Sequence, residues 1–161
     1  MSDTKPLKGR VALVTGAGVG IGRAIALALG DAGAAVGVHC RESVSQAEEV
    51  AEFIRADGGQ AWVLQADLAD PKQAGQLVGR LIEHSGRLDI LVNNAGSPVE
   101  RSRIEDCSDE LWQQVIATNL TSAFVVTRSA IPHLRATGHG SIVNNLTLSI
   151  QTGGANGAGP Y

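Results

Sequence analysis

The amino-acid sequence predicts an α/β protein with a doubly wound parallel sheet, and three observations carry that prediction. Five short apolar runs rich in β-branched residues alternate with four stretches of helical periodicity. The first run, residues 11–14, breaks at once into a glycine cluster and then into a helical repeat. Each helical stretch ends on a turn signal, such as Gly33, Gly58-Gly59 or Ser85-Gly86.

Taken in order, residues 10–15 are the first strand and residues 21–32 the first helix, with Ile21, Ile25 and Leu29 at helical spacing. Residues 35–40 are the second strand. Ser45 is placed to cap the second helix, and Glu48 three residues later completes a capping box. Ala47, Val50, Ala51 and Ile54 make that helix's apolar face. The third strand covers residues 61–66. Asp70-Pro71 opens the third helix, with Asp as cap and Pro at the first helical position. Its inward face is Ala74, Leu77, Val78, Leu81 and Ile82. Residues 88–92 are the fourth strand, running into Asn93-Asn94-Ala95-Gly96. After a polar loop, Ser108 starts one long helical region to about residue 136, with Leu111, Val115, Ile116 and Leu120 inward. Residues 141–146 are the fifth strand, and a glycine-rich loop leads to Tyr161.

Strands alternating with helices give a parallel sheet with right-handed crossovers. With strand order 3-2-1-4-5, the order reverses between strands one and four. Ligands of such sheets bind beyond the carboxyl strand ends near that point. The glycine turn after strand one and residues 93–96 after strand four therefore face one crevice. Gly16, Gly20 and Gly22 allow a tight turn and close approach of backbone to a pyrophosphate, and the helix start offers amide groups to the anion.

The chain has 161 residues, 43% hydrophobic and 18% charged, ordinary for one soluble domain over residues 1–161. Two Phe, two Trp and one Tyr leave the packing to Val, Ile, Leu and Ala. A net charge of −3 without a basic run gives nucleic acid no footing. Cys40 and Cys107 lack metal-ligand spacing, so no metal site is expected, and sparse cysteine fits a reducing compartment. No apolar run nears the roughly 20 residues that span a membrane, and the polar N-terminus has no signal core. Cytoplasm is the expected location.

Several motifs then agree in kind and order, and the chain resembles the short-chain dehydrogenase/reductase family. Thr15-Gly16-Ala17-Gly18-Val19-Gly20-Ile21-Gly22 is similar to its cofactor glycine motif. Asp67, followed by Leu68, matches its adenine-contacting aspartate, although an Asp there also suits a plain turn. Asn93-Asn94-Ala95-Gly96 matches its Asn-Asn-Ala-Gly motif, Asn119 its active-site asparagine and Tyr161 its catalytic tyrosine. The resemblance implies a Rossmann-type three-layer fold and hydride transfer between a nicotinamide cofactor and a carbonyl or alcohol. Asn93, Ala95 and Gly96 then stand near the nicotinamide ribose.

Two departures qualify the resemblance. Thr147 falls at the family's serine position and keeps a hydroxyl; Ser149 is the rival. The family's lysine, four residues beyond the tyrosine, has no counterpart, because the sequence given stops at Tyr161. The expectation is an N-terminal portion of a longer enzyme, homo-oligomeric at full length. At the end of strand two the acidic position that marks NAD is Cys40, and Arg41 follows. A guanidinium there suits the extra phosphate of NADP; Glu42 keeps NAD open. The competing function is a catalytically inactive dinucleotide-binding protein that acts through a partner.

Overall fold

The computed structural model describes residues 5–147. Its strands are β1 (Val11–Val14), β2 (Ala35–Cys40), β3 (Ala61–Gln65), β4 (Ile90–Asn93) and β5 (Ser141–Asn144). They form one sheet in the order β3-β2-β1-β4-β5, every neighbouring pair parallel. The predicted order is the observed one. Val14 lies beside Val38 on one side and Val92 on the other, so the carboxyl ends of the three central strands are level.

The helices are α1 (Gly20–Asp31), α2 (Val44–Ala56), α3 (Pro71–Ser85), α4 (Asp109–Ile116) and α5 (Ser122–Ala136). Side chains of the sheet alternate between two cores. Ala12, Val14, Val36 and Val38 pack with Ala26 of α1 and Val50, Ala51 and Ile54 of α2. Leu13, Leu64 and Leu91 pack on the other face with Leu77, Val78 and Leu81 of α3 and Val126, Ala130 and Leu134 of α5. The outcome is three layers, helix–sheet–helix, with β1, β2 and β4 almost wholly buried in the middle and the edge strand β5 exposed.

Four local expectations are corrected. The fully buried positions of α1 are Gly22, Ala26 and Gly30; of the residues at helical spacing, Ile25 and Leu29 pack partly buried on the core and Ile21 is exposed. Close packing is the reason: a Cβ on Gly22 would lie 2.1 Å from the Gly16 carbonyl oxygen, and one on Gly30 2.8 Å from Ile54. The second correction concerns α2, which begins one residue before Ser45. Ser43 holds the cap position without a side-chain cap bond, and the Ser45 hydroxyl instead donates to Gln46 Oε1. Glu48 pairs with Arg55 at 2.7 Å rather than closing a capping box. Third, β5 is two residues shorter than expected.

Fourth, the long helix beginning after Ser108 is not continuous. The Ser108 hydroxyl caps it by accepting the Leu111 amide, and Val115 is buried as expected. A π-helical turn, Ala117–Thr121, then separates α4 from α5. Leu120 faces outward at 63% exposure. The cause is Asn119, whose side-chain amide donates to the Val115 carbonyl at 2.9 Å. That carbonyl is the one the Asn119 backbone amide would take in an α-helix, so the ladder slips by one residue.

At the opposite end of the sheet from the crevice, Asp89 is fully buried. It accepts two bonds from Arg87, at 2.7 and 2.9 Å, and one from the Val11 amide at 2.9 Å. Arg10 and His139 lie within 3.8 Å of the same carboxylate. Burial pushes this carboxyl up, but the Arg87 and Val11 bonds outweigh it and hold it below the usual range. The cluster ties together the starts of β1, β4 and β5.

Candidate functional site

The carboxyl ends of the strands open into a cleft with two arms that meet at Gly16 and Val19. One arm runs over β2 and β3 and is walled by His39, Arg41, Ser43, Asp67 and Leu68. The other runs over β4 and β5 and is walled by Gly22, Asn94, Asn145 and Thr147, with Ala95 and Gly96 shared by both arms. The glycine turn and the segment after β4 thus share one crevice, as the strand order requires.

The turn is built to leave room. Gly16 and Gly20 have φ of +64° and +56°, the left-handed region that favours glycine. A Cβ on Gly20 would meet nothing within 4 Å, so open space lies before it. Ile21 is 65% exposed at the start of α1. The first amides of a helix have no intrahelical acceptor and carry its positive dipole end. A cleft with a left-handed glycine, open space and a helix start fits a pyrophosphate.

Other predicted residues stand behind the cleft. Thr15 is buried, and its hydroxyl accepts the Asn94 and Ala95 amides, both at 2.9 Å, while donating to the Val92 carbonyl. It clamps β1 to β4. Gly18 is buried against the start of α2, where a Cβ would come within 2.6 Å of Ser43 Oγ. Asn93 is 7% exposed; its amide donates to Thr127 Oγ1 and Asn144 Oδ1, each at 2.9 Å. Asp67 lines the cleft, but its Oδ1 also accepts the Ala69 amide at 2.9 Å and so holds its own turn.

Asn119 borders a neighbouring hollow with Asn93, Leu120 and Thr127. Its Oδ1 accepts the Ser97 amide and its Nδ2 donates to the Ser97 carbonyl, at 2.9 and 2.8 Å. The asparagine therefore anchors the loop that follows Gly96. Tyr161 and Ser149 lie outside the described residues.

Near the cofactor-choice position, Cys40 is buried and its thiol is pushed up by burial. It does not line the cleft. Arg41 does, and its guanidinium pairs with Glu42 at 3.1 Å in the open.

Two further residues work here, Asn94 within the Asn-Asn-Ala-Gly motif and His39 outside every motif. Asn94 donates from Nδ2 to the carbonyls of Thr15 and Gly16, at 2.9 and 3.2 Å, and its Oδ1 accepts Asn145 Nδ2 at 2.9 Å. His39 is 2% exposed beneath the turn. A histidine inside an otherwise apolar buried strand was the available signal, since a polar group there needs partners.

Fold and cleft together define a dinucleotide-binding α/β protein. The family described as short chain dehydrogenase matches residues 10–159, and the chain belongs to that family. It is 41% identical over 151 residues to versicolorin reductase 1 of Aspergillus parasiticus, covering 94% of this chain and 57% of that protein. The chain thus spans little more than half the length of the curated relatives it matches. The structure of an NADH-dependent reductase, A1-R', complexed with NAD superposes with a TM-score of 0.92 at 31% identity, over 98% of this chain and 68% of that one. A short chain dehydrogenase from Burkholderia cenocepacia J2315 in complex with NADP superposes at 0.88 with 34% identity, over 96% and 62% of the two chains. Among the described residues no helix is long and apolar enough to cross a membrane.

Proposed function

We propose that residues 1–161 form one dinucleotide-binding unit of a cytoplasmic oxidoreductase that interconverts a carbonyl and an alcohol, with NADP as the cofactor. The observation that carries this is the two-armed cleft meeting at Gly16 and Val19, with Arg41 at one end and Thr147 at the other. A bound nicotinamide cofactor supplies or accepts the hydride. The chain's own residues do the rest. The first turn of α1 receives the pyrophosphate, and Asp67 and Leu68 flank the adenine. The Arg41 guanidinium exchanges Glu42 for the 2′-phosphate, a planar donor set suited to that anion. Ala95 and Gly96 present backbone to the nicotinamide ribose.

At the other arm the Thr147 hydroxyl holds the substrate oxygen and Tyr161 donates the proton to it in reduction. A phenol at its ordinary value near 10 is a weak base at neutral pH, so a nearby cation must favour the phenolate; the family's lysine is the group expected for this. Asn119 keeps the loop after β4 in place through Ser97. Trp112, Leu120 and Phe124 are exposed along α4 and α5 and form the surface through which copies of the chain associate.

The test is a side-by-side measurement of NADPH binding and of NADPH oxidation with a panel of carbonyl substrates, in a form extended to the length of the relatives. Tyr161→Phe should leave NADPH affinity nearly intact and cut turnover by about 10² to 10⁴. Thr147→Ala should be severe and Thr147→Ser mild. Binding without any turnover in the extended form would favour the inactive dinucleotide-binding reading. Severe loss in Ser149→Ala with a mild Thr147→Ala would move the hydroxyl role by two residues.

A further inference from the structure

We infer that His39 is a positioning residue for the dinucleotide, holding the glycine turn from beneath and tying it to the adenine wall; this rests on the reading of the cleft just given. Three contacts carry the inference. His39 Nδ1 accepts the Gly16 amide at 3.0 Å. The His39 carbonyl accepts the Ala17 amide at 2.7 Å. On the far side of the ring, Nε2 bonds the Ala66 carbonyl at 3.1 Å, one residue before Asp67.

The hydrogen-bond roles follow from the partners. A backbone amide only donates, so Nδ1 is an acceptor. A carbonyl only accepts, so Nε2 carries the proton. The ring is then neutral and fully paired. Burial pushes the imidazole down to about 4, against the opposing Ala66 bond, so this state holds at neutral pH.

The consequence is directional. Gly16 sits in the left-handed region, at φ +64°. With its amide bonded to Nδ1 and the Ala17 amide bonded to the same residue's carbonyl, both point down into the fold. Neither is available to an anion in the cleft. The phosphates are therefore left to the start of α1, and the height of the turn above β2 is set by the ring. The same ring fixes Ala66, and through it the start of the segment holding Asp67 and Leu68. One side chain thus sets the spacing between the phosphate turn and the adenine wall. An apolar residue of similar size would leave the Gly16 amide and the Ala66 carbonyl buried without partners.

The test separates the two ring nitrogens. His39→Asn places an amide oxygen where Nδ1 stands and keeps an acceptor for Gly16. His39→Gln reaches the Nε2 position and keeps a donor for Ala66, but loses the Gly16 acceptor. NADPH and NADH affinities are measured by calorimetry, and thermal midpoints are measured on the same samples without nucleotide. The expected result is Asn weaker by about threefold, because it drops the Ala66 tie, and Gln weaker by about tenfold or more, because it frees the glycine turn that meets the phosphates, with similar thermal midpoints. Asn as weak as Gln, or affinity that simply follows the thermal midpoint, would overturn the positioning role. Nitrogen-15 spectra of the wild-type ring should report the Nε2–H form, and a proton on Nδ1 would overturn it too. A wild-type chain that binds neither nucleotide would remove the cleft reading and this inference with it. Tight wild-type binding with equal losses in Asn and Gln would remove this inference alone.

Discussion

Asp89 has the clearest single-residue consequence. A buried carboxylate that loses its charge removes the counter-charge of Arg87 and turns one of the two oxygens that accept from Arg87 and the Val11 amide into a donor. Removing one partner of a buried pair costs about 3 to 5 kcal/mol, and Arg87 is 43% exposed, so solvent repays part of that. Asp89→Asn should therefore lower stability at neutral pH by about 2 kcal/mol, read from denaturant midpoints. The sign with pH follows from the carboxyl's lowered value. Its stabilisation is fully present above the unfolded carboxyl value of about 3.9 and is lost as pH falls through the lower folded value. The wild type and Asp89→Asn should converge in stability on acidification. A constant gap from neutral pH down to strongly acidic conditions would contradict this. Such residues were only half legible in the sequence. Gly16, Asp67 and Arg41 could be placed from motif and strand order, because all three follow closely on a strand end in the chain. Asn94, Asn145 and His39 work through partners 23 to 79 residues away, and no local pattern reports such partners.

At the scale of the element, α1 and α3 use glycine for opposite reasons. Gly30 of α1 is required, since a Cβ would strike Ile54 at 2.8 Å. Gly75 and Gly79 of α3 are exposed and have room: the nearest atom to a Cβ on Gly75 is Val125 Cγ1 at 3.9 Å, and none lies within 4 Å at Gly79. Gly75→Ala and Gly79→Ala should each stabilise by about 0.5 to 1 kcal/mol, because a helix interior penalises glycine by that amount. Gly30→Ala should destabilise. Equal effects at all three sites in chemical denaturation would refute the distinction. The periodicity that placed α2 and α3 succeeded because their buried faces are apolar and regular. On α1 it marked Ile25 and Leu29, which pack partly buried on the core, and not the small residues of the fully buried face that close packing selects. It also missed the π turn, because the disturbance comes from one side chain, Asn119, taking a backbone acceptor.

For the whole molecule, strand order and layering were readable because each strand is a short apolar run and each crossover a separate helix. Surface exposure was not. Val126 and Ala130 are buried beside α3. The exposed apolar residues of this face are Trp112, Leu120 and Phe124, at 47%, 63% and 58%. Contiguous apolar patches of several hundred Å² are uncommon on monomers. The chain should therefore self-associate in sedimentation velocity, and Leu120→Glu with Phe124→Glu should shift it to the monomer. A wild-type monomer at tens of micromolar would exclude this surface as an interface.

We propose that this cleft takes a dinucleotide across Gly16 and Val19, with Arg41 on a 2′-phosphate. Titration of the chain with NADPH and with NADH, followed by heat or by nicotinamide fluorescence, tests it most directly. Saturable one-to-one binding is expected, with NADPH tighter by about tenfold, consistent with one charge-assisted contact. Arg41→Asp should erase that preference while leaving NADH affinity close to unchanged. No saturable binding of either nucleotide, or equal loss of both in Arg41→Asp, would contradict it.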